Sequence, residues 1–324
     1  MRRGRPFVRT VLGDREPSAL GFTHCHEHLF VFPVAGVSLP EKLLLDDYER
    51  TRSEVQAFQA AGGGALVDAQ PFAAGRHAEL LARLARDTGV LIVASTGLHR
   101  LHYYPADFWG FRASVEELGL LFAGEIGRGM YACDPQDSRA RRTRVRAGLI
   151  KTATDAEGLT PWYRKVFEAA ALAHRQTGAP IITHAEPGAS GLQQARFLLD
   201  RGVQARSIII SHLDRVIDAR RDQEVARLGV FLEYDTIRRR RYHGDEEEAG
   251  LIHAMVEAGF EDRLLLGLDV TRERLPAYGG EGGLAHLASG FLPFLRERGV
   301  AQQAITRMTV DNPRQALCFR PRKE

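Results

Sequence analysis

Gly21-Phe22-Thr23-His24-Cys25-His26-Glu27-His28-Leu29 is the stretch on which the fold turns. Its apolar entry (Ala19, Leu20, Phe22) and alternating histidines predict a β-strand running into a loop, and side chains two apart on a strand share a face. His26 and His28 can therefore grip one ion together. His24 and His26 have the same spacing, so the stretch by itself leaves the pair open. It also separates two architectures. A doubly wound open sheet wants a glycine-rich phosphate turn after its first strand, and here the histidine cluster stands in that place.

Working outward, the chain has a short β-rich lead-in, Phe7 to Leu12 with a turn at Gly13-Asp14, and then repeats one unit: an apolar run, a polar loop, a helical pattern. The runs are Leu20 to Thr23, Ala65 to Ala69, Val90 to Ser95, Gly148 to Thr152, Pro180 to His184, Ser207 to His212, Val230 to Tyr234 and Leu264 to Leu268. Near-continuous Ile, Val, Leu and Ala is the pattern of parallel strands covered on both faces. Helices are expected over Glu54 to Ala61, His77 to Thr88, Val115 to Met130, Tyr163 to Gln176, Leu192 to Arg201, Asp222 to Leu228, Glu246 to Gly259 and Leu284 to Arg298. Gly89, Gly178, Gly202, Gly229 and Gly299 fall where these should end, as C-cap preferences require. Eight such units in 324 residues is the arithmetic of an α/β fold of the (β/α)8 TIM barrel type. With no linker or low-complexity segment, residues 1–324 read as one domain.

Composition narrows the function classes. A formal net charge of +3 is far below that of a dedicated nucleic-acid binder. Cys25, Cys133 and Cys318 are odd in number and widely spaced, which argues against a disulfide framework or a zinc ribbon and for a reducing compartment. The basic start, MRRGRPFVRTVLG, lacks the apolar core of an export signal. No segment approaches the ~18 consecutive apolar residues of a membrane span. The expected location is the cytoplasm.

In barrels of this kind the chemistry sits at the carboxyl ends of the strands. Those ends carry His26 and His28, Lys151, His184, His212 and Asp269. Four imidazoles and a carboxylate suffice for two divalent ions. Lys151 is the unusual member, since a buried ammonium is rarely left unpaired and tends to lose its charge. A neutral lysine amine can add carbon dioxide to give a carbamate, chemically a carboxylate that could bridge two ions. The competing reading is a lysine paired with a neighbouring acid or clamping substrate.

These residues, with Arg146-Ala147-Gly148-Leu149-Ile150-Lys151, Thr183-His184 and Ser211-His212 followed by Asp214, resemble the phosphotriesterase-like branch of the amidohydrolase superfamily over nearly the whole chain. The family's Thr-x-x-His-Glu-His pattern selects His26 and His28. The resemblance implies one metal ion held by His26, His28 and Asp269, a second by His184 and His212, and N6-carboxylated Lys151 with a hydroxide bridging them. Zinc is the expected ion, with manganese, iron and cobalt as rivals. Some branches carry a glutamate in place of the lysine; Glu125 precedes the fourth strand, but the Ile-Lys-x-Ala-Thr context favours Lys151. Asp269 is the expected catalytic group, taking the proton released on attack and delivering it to the leaving group or to water. A homodimer is a further family-level expectation.

Arginines follow the last two strands: Arg238 to Arg241, then Arg272 and Arg274. Guanidinium forks suit phosphate or carboxylate, so a small substrate with an anionic group remote from the bond being cut is expected, held by Arg239, Arg272 and Tyr278. Family members with the same Asp-x-x-Arg are similar to lactonases acting on phosphorylated sugar lactones. The alternatives are a phosphotriesterase, an acyl-homoserine lactonase, or a metal-free barrel that binds a ligand or nucleic acid. The basic run Arg139 to Arg146 has no interleaved aromatics to stack bases and reads as solvated charge, so no nucleic-acid or membrane partner is expected. His99, His102, Tyr103, Tyr104 and Trp109 follow the third strand and are candidates to line the pocket. His24 is a candidate partner behind the metal ligands.

Overall fold

The computed structural model describes residues 5–132 and 141–320. Strand β1 (Phe7–Thr10) turns into β2 (Gly13–Arg15), paired antiparallel where the sequence suggested only a turn. Eight parallel strands follow: β3 (Phe22–Glu27), β4 (Gly63–Asp68), β5 (Leu91–Gly97), β6 (Leu149–Thr154), β7 (Ile181–Ala185), β8 (Ile208–Ser211), β9 (Phe231–Tyr234) and β10 (Leu264–Leu266). Each is hydrogen-bonded to the next. The seam between β10 and β3 is closed by single groups rather than a ladder. Asp269 N donates to His26 O at 2.9 Å, and the Glu27 carboxylate accepts from Leu268 N at 2.9 Å and Val270 N at 3.3 Å. A side chain of the first barrel strand thus stands in for the missing backbone partner and pins the segment that carries Asp269.

Helices alternate with the strands: α1 (Tyr48–Ala60), α2 (Ala78–Thr88), α3 (Val115–Gly127), α4 (Pro161–Thr177), α5 (Gly191–Asp200), α6 (Ala219–Ala226) and α7 (Asp245–Glu257). Their ends follow local chemistry. Ser114 and Glu117 form a capping box at the start of α3, and α2 and α4 stop at Gly89 and Gly178, both with φ 74°. The last expected helix is irregular: a π-turn at Leu287–Phe291 leads into α8 (Leu292–Glu297). Beyond it lie α9 (Gln302–Thr306), a second π-turn at Arg307–Asp311, α10 (Asn312–Ala316) and β11 (Cys318–Phe319), which the sequence reading did not separate. β11 pairs with β1. Each π-turn stands just before a proline, Pro293 or Pro313, whose missing N–H and bulky ring are accommodated by widening the preceding turn.

Two apolar layers result. Alternate strand residues Ala65, Val67, Val93, Leu149, Ile182, Ile209, Phe231 and Leu265 fill the barrel interior, while their neighbours, including Leu66, Ile92, Ile150, Ile181 and Leu232, pack outward with the helices. Period two then dictates what stands above the interior: Leu149 is followed by Lys151, Ile182 by His184, and Phe231 by Glu233 and Asp235. The other end is tied by Asn312, fully buried, whose Nδ2 donates to Glu261 O at 2.8 Å and Leu264 O at 2.7 Å. Asn312→Ala leaves both carbonyls without that donor, and a loss of roughly 2–3 kcal/mol is expected in urea denaturation. Among the described residues no helix is long and apolar enough to cross a membrane.

Candidate metal centre

The histidine stretch is read correctly only in three dimensions. Strand β3 shifts register between His24 and Glu27, and this bulge breaks the alternation that would put His24 and His26 on one face. His24 turns outward against Phe58, with ring centroids 4.6 Å apart, and its Nδ1 lies 2.8 Å from Glu27 Oε1. His26 turns inward, where its Nδ1 meets Glu233 Oε2 at 3.1 Å and Asp235 Oδ2 at 3.3 Å. Across the opening, His212 Nδ1 lies 2.7 Å from Asp235 Oδ1. The His212 ring is 4.7 Å from that of His26 and 4.3 Å from that of His184. Carboxyl groups on Nδ1 turn Nε2 of His26 and His212 toward the opening, that of His26 facing Lys151, the usual arrangement behind metal-binding histidines.

His28 Nε2 is 3.2 Å from Asp269 Oδ1, and its buried Nδ1 has no partner. Donor atoms of His26, His28 and Asp269 all fall within 4.8 Å of one another, as do those of His26, His212 and Asp235. His212 (φ 67°) and Asp269 (φ 47°) both hold left-handed backbone, which costs a non-glycine residue on the order of 1–3 kcal/mol and concentrates at functional sites. Lys151 is completely buried, its Nζ 3.0 Å from His26 Nε2. Burial lowers its pKa to about 8, with Asp269, Asp235 and Glu233 opposing that shift. A minor but appreciable fraction of the amine is then neutral near physiological pH and open to carbon dioxide. The rival Glu125 is spoken for: it binds Arg76, Thr96 Oγ1 at 2.6 Å and Tyr131 N at 2.9 Å. Both donor trios share His26 and neither contains His184, whose Nε2 lies 2.8 Å from Glu186 Oε1 while its ring stands beside that of His212. Together the four imidazoles, the Asp269 carboxylate and the buried amine form a donor set that fits a pair of borderline divalent ions.

Glu233, Asp235 and Glu27 were given no role by the sequence reading. Two acids at alternate positions of an apolar strand, Phe231-Leu232-Glu233-Tyr234-Asp235, were the signal that both face the barrel interior. Burial pushes both carboxyls well above the usual range, reinforced for Glu233 by the neighbouring Asp235 and for Asp235 by Asp214. Gly97 is equally informative: with φ 93°, it lies so close to Lys151 that an added Cβ would overlap the lysine carbonyl oxygen. Gly97→Ala should cost roughly 2–4 kcal/mol and lower the melting temperature sharply, because both the backbone angle and the contact are violated.

A cavity opens above these groups, lined by His28, His184, Asp269, His99, Tyr103 and five cationic side chains: Lys42, Arg100, Arg215, Arg239 and Arg241. Arg239 reaches it as expected, but its guanidinium is engaged with the Asp269 carboxylate and donates to Asp269 O at 2.7 Å. Arg215 donates to Glu186 Oε1 at 3.1 Å and Asp269 Oδ2 at 3.3 Å. Burial alone would raise the Asp269 carboxyl; Arg239, then His28, bring it well below the usual range.

The structure corrects two expectations. Arg272 does not line the cavity. It donates to Leu44 O at 3.0 Å, Glu41 at 3.2 Å and Asp46 at 2.7 Å. Tyr278 is likewise outside, its hydroxyl 2.8 Å from Thr51 Oγ1 and 2.8 Å from Asp47 O. The loop after β10 folds back across the barrel seam onto the segment between β3 and α1, whose acids capture the arginine before it can reach the opening. Of the loop after β5, His99 and Tyr103 line the cavity; Tyr104 holds the His99 backbone N–H at 2.6 Å, Trp109 packs on Phe72, and His102 is outside the lining. In the basic run, Arg141 pairs with Glu79, Arg142 lies over Tyr131 and Arg146 approaches Asp14. Arg139, Ala140 and Cys133 lie outside the described residues.

Comparison with known proteins places this geometry in context. The phosphotriesterase family model matches residues 6–317. The chain is 31% identical to the N-acetyltaurine hydrolase of Homo sapiens, covering 97% of this chain and 98% of that protein. It is 30% identical to the phospho-furanose lactonase of Mycoplasmopsis synoviae, covering 97% and 92%. Among solved structures, an amidohydrolase from Mycoplasma synoviae superposes with a TM-score of 0.92 at 29% identity, covering 98% of this chain and 93% of that one.

Proposed function

The chain belongs to the phosphotriesterase family and is a metal-dependent hydrolase, and from that premise we propose that it opens a lactone ring whose substrate carries an anionic group remote from the scissile ester. His26, His28 and Asp269 would hold one divalent ion and His184 with His212 the other, with Lys151 as a carbamate between them; zinc is the ion proposed. When bound, such a pair polarises the scissile carbonyl and lowers the pKa of water enough to supply a nucleophile near neutral pH. The chain's own residues do the rest. Glu233 and Asp235 hold His26 and His212 with the proton on Nδ1, turning Nε2 toward the opening. Arg239 and Arg215 keep Asp269 ionised and in place, ready to receive a hydrogen bond from the attacking water. Tyr103 and Val31 narrow the opening on its apolar side.

The observation that carries the anionic substrate is the cation balance of the mouth. Arg100, Arg215 and Arg239 are paired with Glu186 or Asp269. Lys42 and Arg241 line the same cavity together with one further acid, Glu273, and among the described residues none of the three is in an ion pair, so the unpaired lining charges are two cations against one carboxylate; Arg241 donates only to Tyr242 Oη at 3.0 Å. An anion entering here meets two free donors, worth about 1.5–3 kcal/mol for a charged hydrogen bond, or roughly 10- to 150-fold. The likeness to a phospho-furanose lactonase supports the same reading. The test compares a five-membered sugar lactone with its phosphate ester. The phosphate should raise kcat/KM at least 10-fold, and Arg241→Ala should remove that preference through KM; equal efficiency on both lactones would refute it. A second reading has its own support, since a relative matched over nearly its full length is an N-acetyltaurine hydrolase: an N-acylated amino sulfonate carries the same remote negative charge on an amide. Including it in the same assay decides between ester and amide.

A further inference from the structure

We infer that His99 donates a hydrogen bond from Nε2–H to the leaving oxygen of the scissile ester, acting as a fifth functional histidine outside the ligand set; this rests on the hydrolase reading above. Its ring tautomer follows from one contact. The backbone N–H of Arg100 donates to His99 Nδ1 at 2.8 Å, so Nδ1 must present a lone pair and the ring proton must sit on Nε2. Among the described residues that nitrogen has no hydrogen-bond partner, and it keeps an accessible surface, which leaves it facing the cavity that His99 lines together with His28, His184 and Asp269. The ring stands 5.6 Å from His184 and 6.4 Å from His28, centroid to centroid, so it overlooks both groups of candidate ligands.

The residue is held as a fixed donor should be. Its ring stacks on Tyr103 at 3.9 Å, and its backbone N–H donates to Tyr104 Oη at 2.6 Å, which in turn donates to Phe72 O at 3.2 Å. Burial also disfavours the imidazolium form. A neutral, immobile N–H lining the cavity is most valuable where negative charge develops during the reaction. In ring opening, the oxygen of water bonds to the acyl carbon, the ring C–O bond breaks, and the proton given up by water completes the new hydroxyl. His99 keeps its own proton throughout.

Three measurements test this. In a long-range ¹H–¹⁵N spectrum of histidine-labelled protein, the His99 signal, identified by its loss in His99→Gln, should report the Nε2–H tautomer; an Nδ1–H tautomer would overturn the inference with no substrate involved. On lactones, His99→Phe keeps the stack on Tyr103 but removes the donor. Its kcat should fall on the order of 100- to 1,000-fold with KM and metal content little changed, and His99→Gln, which restores an N–H, should recover part of the loss. On the matching thiolactone, whose sulfur is a weak acceptor, the loss should be at least 10-fold smaller. Equal losses on oxygen and sulfur substrates, or a loss that follows metal content, would overturn it. A wild-type enzyme inactive on every lactone and amide would instead count against the hydrolase reading, with the tautomer still deciding the role of the ring.

Discussion

Asp269→Asn should leave a folded protein whose kcat drops on the order of 1,000-fold, while its metal content falls far less. The replacement is isosteric and can keep an oxygen toward His28, so the backbone at φ 47° and the bond from Asp269 N to His26 O survive. What disappears is the negative charge. In the native protein that charge sits between His28 at 3.2 Å on one oxygen and Arg239 and Arg215 on the other. An amide there cannot accept a proton from an attacking water, and it leaves two guanidinium groups facing a neutral neighbour in a nearly buried site. Turnover and metal content, measured on the same preparation, separate the two roles of the residue. Loss of both in equal proportion would reduce Asp269 to a ligand.

Lys151→Met should abolish turnover, by at least about 1,000-fold, and yet stabilise the chelator-treated protein. Methionine has similar length, fills irregular space well and carries no charge. The lysine it replaces is completely buried with a pKa lowered to about 8, from 10.5, by burial. The folded state thus binds its proton less tightly than the unfolded state. Between pH 8 and 10.5 the unfolded chain holds more protons, so native stability rises with pH across that window; below pH 8 the full penalty for a buried ammonium applies. That penalty is about 3 kcal/mol, net of what Asp269, Asp235 and Glu233 give back. The methionine variant should therefore gain roughly 1–3 kcal/mol at pH 7, and the gain should shrink above pH 8. Urea denaturation at several pH values reads it directly. Metal analysis should show fewer ions per chain. A variant that is less stable and still active would mean that Lys151 is a structural partner for the neighbouring acids.

Much of this was legible along the chain, because the signals are local. Near-continuous apolar runs closed by glycines predict strands and helix ends whatever lies elsewhere, and the eight runs proved to be the eight barrel strands within a few residues. The C-terminal turns were harder: α9 and α10 are five residues each and interrupted by π-turns, too short for a helical period to emerge. The six strand-end residues stood out because histidine, lysine and aspartate are rare after such apolar runs. Glu233 and Asp235 were equally visible in pattern, but an acid on a strand is ordinary until its burial is known.

By itself the sequence determined the barrel, its strand ends and the kinds of donor gathered there, since each depends on neighbours a few residues away. Only the tertiary structure decided which histidine turns inward, through a bulge in β3, and which arginines are free. Arg272 is 231 positions from Glu41 yet 3.2 Å away, while among the described residues Arg241 and Lys42 form no ion pair. A guanidinium pairs with whichever charge the closed barrel brings within reach, and that distance is a property of the seam between first and last strands, which no local pattern encodes.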